Sequence, residues 1–92
     1  MEQLLWDKKE HHFGNVKYNS THYVDIKYLG EDNLTTDNFI VNCSCTTKSY
    51  NRDTKTVTLG LNMNQQGSKI SVVTVNLPNG KQDLLLLKAN VE

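Results

Sequence analysis

From Thr21 to Tyr28, Val24, Ile26 and Tyr28 alternate with Tyr23, Asp25 and Lys27. A period of two, carried by β-branched and aromatic residues, predicts a half-buried strand. The cleanest alternation runs from Lys55 to Met63. There Val57, Leu59, Leu61 and Met63 share one side, and Thr56, Thr58, Gly60 and Asn62 the other. Thr36 to Asn42, with Phe39-Ile40-Val41 at its centre, predicts a further strand with a cysteine pair at its end. Tyr50 to Thr54 is polar and predicts a connection.

Ser68 to Leu77 carries apolar residues on both parities, at Ile70, Val72, Val73 and Val75. Either both faces of this strand are covered or a bulge changes its register. Gln82 to Val91 predicts the last strand. Its Leu84–Leu87 block also suits a helix, but the hairpin signal Pro78-Asn79-Gly80 before it and Val91 after it favour the strand. Gly30-Glu31-Asp32-Asn33 and Gln65-Gln66-Gly67 are turn clusters. Six or seven strands at spacings of about ten residues predict an all-β sandwich. Its expected core includes Val24, Ile26, Phe39, Val57, Leu59, Leu61, Val72 and Leu86.

The chain has 92 residues, enough for one small domain. Leu, Ile, Val and Phe make up about a quarter of it, sufficient for one modest core. A single Ala against 11 Asn and nine Thr again favours strands and turns. Ten basic and ten acidic residues balance, and no basic stripe of the kind that binds nucleic acid is present. The first residues lack a positive region followed by an apolar stretch, so a small protein made in a cytoplasm, without a secretory signal, is expected. The longest apolar run, Leu84–Leu87, is too short to span a bilayer.

Cys43-Ser44-Cys45 is the one motif with latent chemistry. In an extended strand both thiols would lie on one face, and a structural metal site would need a second ligand pair that the sequence lacks. The pair is expected to be reduced, metal-free and structural. His11-His12 is expected to be solvated. Glu31, Asp32, Asp37 and Asp53 suit turns rather than acid–base chemistry, and isolated Gly60 and Gly67 make no phosphate cradle. No catalytic residue, cofactor or metal ligand is expected, and the protein is not expected to be an enzyme.

Several of these runs, in this order, resemble a family of bacterial immunoglobulin-like domains of unknown function. That family is related to the ASPM–SPD-2–Hydin and major-sperm-protein sandwiches. Its opening Phe-Gly-x-Val is matched by Phe13-Gly14-Asn15-Val16, and its Cys-Gly-Cys-Thr by Cys43-Ser44-Cys45-Thr46. A hydrophobic strand, a Gly-led strand and a Leu-rich last strand are matched by Val57–Met63, Gly67–Val75 and Leu84–Val91. The resemblance covers residues 11–91. Ser44 replaces the middle Gly, and Asp53-Thr54-Lys55 stands where the family has Pro-Gly. It implies an immunoglobulin-like β-sandwich of about seven strands over residues 11–92, with residues 1–10 an N-terminal arm or first strand.

This fold carries many functions, so function is expected to follow from surface and context. The expected role is an auxiliary, decoration-type capsid protein of a tailed bacteriophage. It would bind the major capsid protein at the virion surface, with homo-oligomers at a symmetry axis a further expectation. The alternative is an adaptor domain of the bacterial envelope or periplasm. Neither nucleic acid nor membrane is an expected partner. Leu4, Leu5 and Trp6 either pair as a first strand or dock on a neighbour, Trp being a favoured interface anchor. The expected contacts are Leu5, Trp6, Asn64, Gln65, Gln66 and Asn79.

Overall fold

The computed structural model describes residues 5–92, and Leu4 lies outside them. Seven strands form two sheets: β1 (Glu10–Val16), β2 (Thr21–Lys27), β3 (Phe39–Val41), β4 (Thr46–Asn51), β5 (Thr56–Asn62), β6 (Gly67–Asn76) and β7 (Gln82–Val91). No α-helix occurs among the described residues; one 3₁₀ turn, Thr36–Asn38, leads into β3. One sheet has the order β1-β7-β6-β3, the other β2-β5-β4. With strands lettered as in immunoglobulin domains, these contain C-F-G and B-E-D. The first strand has crossed to the far sheet, where β1 runs parallel to β7. The fold is an all-β, immunoglobulin-like sandwich.

The core lies between the sheets, where Ile26, Phe39, Val57, Leu59, Leu61, Met63, Val73, Val75, Leu85 and Leu87 are fully enclosed. The alternation of β5 predicts its buried side correctly, and β7 spans the expected residues as a strand. The β6–β7 hairpin turns through Leu77–Lys81. Gly80 N–H donates to Leu77 C=O at 3.0 Å, and Gly80 alone in this turn has a positive φ, of 86°. A turn closed by one left-handed residue is the common longer hairpin loop, and glycine fills that position without a Cβ clash.

Four expectations are corrected. First, Val72 and Leu86 are not in the core: they face outward, while Val73, Val75, Leu85 and Leu87 face inward. The ladder between β6 and β7 is continuous, so no bulge explains the mixed parity of β6. Second, residues 46–51 form a strand, although only a polar connection was expected just beyond them. The inward positions of β4 are Thr46, Lys48 and Tyr50, so no apolar alternation marks it. The strand exists because its backbone pairs with β5 along its whole length.

Third, Cys43 and Cys45 are joined in a disulfide rather than reduced. They sit in the turn between β3 and β4, not at an extended strand end. Thr46 N–H donates to Cys43 C=O at 3.1 Å, and the turn brings the two Cα atoms to 5.1 Å, within the range a disulfide spans.

Fourth, of the two placements open to Leu5 and Trp6, pairing beside a strand is the one observed, and the interface role expected of Trp6 is overturned: it is 2% exposed and offers nothing to a partner. Residues 5–7 run antiparallel beside the end of β2: Leu29 N–H donates to Leu5 C=O at 2.6 Å, and Asp7 N–H to Lys27 C=O at 3.0 Å. Leu5 is half-buried against the core. The Trp6 indole packs 4.9 Å from the Tyr28 ring and 5.8 Å from the Phe39 ring, centroid to centroid. A large apolar ring beside an open sandwich end is better buried there than left in water.

Candidate protein-docking face

The outward positions of β6 and β7 follow from the inward ones. With Val73, Val75, Leu85 and Leu87 in the core, Ile70, Val72, Thr74, Leu84 and Leu86 must project from the other side of the sheet. The ladders set these side chains in rows across the strands. Ile40, Thr74 and Leu84 form one row; Val72, Leu86 and Glu10 the next; Ile70, Lys88 and His12 the third. Side chains directly opposite one another on a sheet lie within contact range. Ile40 is 47% exposed, Ile70 64% and Leu84 50%, with Val72 and Leu86 half-buried between them.

The result is a continuous apolar belt on the outer face of the four-stranded sheet, centred on β6 and β7. An isolated exposed Leu needs no explanation, but a contiguous apolar patch on a small domain marks an interaction surface. Its rim is polar. Asn76 and Gln82 are paired beyond the first row, with Gln82 Nε2 donating to Asn76 Oδ1 at 2.8 Å, and Ser68 and Asn90 close the other end. The two charges in these rows neutralise each other: Lys88 Nζ lies 2.8 Å from Glu10 Oε1, and Lys88 holds the Glu10 carboxyl below its usual pKa.

The opposite outer face, on β2, β5 and β4, is polar. Thr21, Asp25, Lys27, Thr56, Thr58 and Asn62 cover it, and Thr58 Oγ1 donates to Asp25 Oδ1 at 2.6 Å. Its one large apolar group is Tyr23, which lies over Gly60, where an added Cβ would come within 2.6 Å of the ring.

Of the contacts expected from sequence, Asn64, Gln65 and Gln66 are exposed at the β5–β6 turn and Asn79 at the β6–β7 turn. They occupy loop tips and do not join the belt. The belt itself was signalled by the mixed parity of Ile70, Val72, Val73 and Val75 and by the Leu84–Leu87 run.

The titratable groups do not converge. His11 sits edge-on to Phe13, with ring centroids 4.7 Å apart, and burial together with Lys8 and His12 lowers its pKa. His22 also packs near Phe13, with ring centroids 5.9 Å apart, and its Nε2 lies 3.0 Å from Ser20 Oγ. Burial and the Asp32 carboxylate raise the Tyr28 phenol above its ordinary pKa. Among the described residues, no group of three or more His, Cys, Asp or Glu side chains is placed to hold a metal ion. No family model, no curated protein and no solved structure matches this chain.

Proposed function

We propose that this is a non-enzymatic structural protein that works by docking onto other protein subunits, as an auxiliary capsid protein of a tailed bacteriophage bound to the major capsid protein. The exposed apolar belt of Ile40, Ile70, Val72, Leu84 and Leu86 carries this reading. A surface of that kind, on a small rigid sandwich, is suited to contact by shape. The balance of ten basic and ten acidic residues supports docking without long-range attraction, so binding should depend only weakly on salt. The exposed turns at Asn64–Gly67 and Pro78–Gly80 supply further polar contacts.

A second reading, an adaptor of the bacterial envelope or periplasm, is favoured by the Cys43–Cys45 disulfide. Disulfides form and persist in oxidising surroundings such as the periplasm, whereas a capsid protein is made in a reducing cytoplasm.

The test adds purified protein to phage shells stripped of it. Saturable binding at a fixed ratio to the shell protein, little changed between low and moderate salt, is the expected result. Absence of the protein from purified virions, with an envelope protein recovered as its partner instead, rejects the capsid reading in favour of the adaptor.

A further inference from the structure

We infer that the apolar face of the four-stranded sheet is a self-association surface, and that two copies of this chain pack face to face through it. The inference rests on the reading of that face as a protein interface and concerns the protein free of the shell, where a second copy takes the place that the shell protein has on the virion.

Charge is the first argument. Across the three rows the only full charges are Glu10 and Lys88, and they are already paired within one copy. A second identical face therefore meets no uncompensated charge, and the chain as a whole carries no net charge to repel its copy. A partner selected by electrostatics would need a charged counterpart here, and the rows offer none.

Size is the second argument. With ten residues each in β6 and β7, seven in β1 and only three in β3, strands about 4.8 Å apart rising about 3.3 Å per residue give a face on the order of 500 Å². Two such faces in contact bury on the order of 1,000 Å², about the smallest area of a specific interface. Twisted sheets with apolar faces stack in aligned fashion about 10 Å apart, which is the arrangement already used inside this sandwich. A two-fold pairing of identical patches is the commonest form of protein self-association.

The third argument concerns the sheet's edges, the other route by which a sheet joins its copy. Lys48 Nζ donates to the Phe39 carbonyl on β3, and a lysine at a sheet edge is a device against edge-to-edge pairing. At the opposite edge β1 is broken by a register shift between His12 and Asn15, with Gly14 at φ 81°. A bulge of that kind interrupts any ladder a second chain could add. Within this sheet, the face is left as the self-complementary surface.

Sedimentation equilibrium over a range of concentrations tests the inference. Wild-type protein should rise from 10.5 kDa towards twice that mass as concentration increases. Ile70→Lys and Leu84→Lys should each remain monomeric at the highest concentration, with circular-dichroism melting unchanged at a dilution where the wild type is monomeric too, because both positions are exposed. Tyr23→Lys, on the opposite sheet, should associate as the wild type does. A wild-type protein that stays monomeric throughout overturns the inference, as does association that survives both belt substitutions or is abolished by Tyr23→Lys. Shell binding by the same variants separates the two readings. A monomeric wild type whose shell binding is lost in Ile70→Lys keeps the docking reading and rejects the dimer.

Discussion

The indole Nε1 of Trp6 donates a hydrogen bond to Asp83 Oδ2 at 2.9 Å, joining residues 77 positions apart. The ring reaches between the sheets from the N-terminal segment, and Asp83 meets it from the start of β7. Asp83 also holds Lys9, with Nζ 2.9 Å from Oδ1. One carboxylate thus ties the segment before β1 to the last strand at two points. Trp6→Ala should cost about 3–5 kcal/mol, because it empties a large buried site. Trp6→Phe should cost less, about 1–3 kcal/mol, through the lost hydrogen bond and imperfect filling. Urea unfolding of both variants checks this. A Trp6→Ala protein as stable as the wild type would mean that the segment is not seated in the core.

The same carboxylate gives a pH dependence with a definite sign. Burial alone would raise the Asp83 pKa, but the hydrogen bonds from Lys9 and Trp6, with the Lys9 charge, outweigh it, and the net shift is downward. A carboxyl with a depressed folded pKa stabilises the fold above its unfolded value, about 3.9, and loses that contribution as pH falls through the folded value. Unfolding free energy should therefore decline on acidification below about pH 4, and Asp83→Asn should flatten part of that decline. Denaturation curves from neutral to acid pH, for wild type and variant, read this directly.

Thr46 and Ser71 are buried, and their hydroxyl oxygens lie 2.6 Å apart, linking β4 of one sheet to β6 of the other. Ser71→Ala should strand the Thr46 hydroxyl and cost about 1–3 kcal/mol. The double variant Thr46→Val/Ser71→Ala removes both polar groups and should be more stable than the sum of the single losses predicts. A double-mutant cycle by chemical denaturation measures the coupling.

Neighbouring leucines on β7 should behave as opposites. Leu87 is fully enclosed between the sheets, so Leu87→Ala should cost about 2–5 kcal/mol. Leu86 lies half-buried on the outer face, and Leu86→Ala should cost under about 1.5 kcal/mol in the monomer. Equal losses at the two positions would contradict the assigned parity of the strand.

The cysteine pair offers a chemical check. Without reductant, unfolded protein should show no titratable thiol, since Cys43 and Cys45 are bonded to each other. One or more free thiols per chain would restore the reduced state expected from sequence.

Alternation alone determined β2 and β5, because Val24, Ile26, Val57, Leu59 and Leu61 stand in register on strands with one polar face. The Pro78-Asn79-Gly80 turn was legible for the same local reason: its geometry needs a residue that tolerates positive φ. What the sequence left open was every choice that depends on a neighbour. On β6 and β7 both parities are apolar, so only the packing of one sheet on the other decided that Val73 and Leu87 face inward and that Val72 and Leu86 face out. β4 has no apolar period, and its strand exists through hydrogen bonds to β5. Trp6 has no local partner at all, and its place was settled by Tyr28, Phe39 and Asp83, brought together from three distant parts of the chain. The candidate docking face belongs to this second kind: its residues are visible in the sequence, but their exposure is a property of the fold, since nothing else in the described chain covers that side of the sheet.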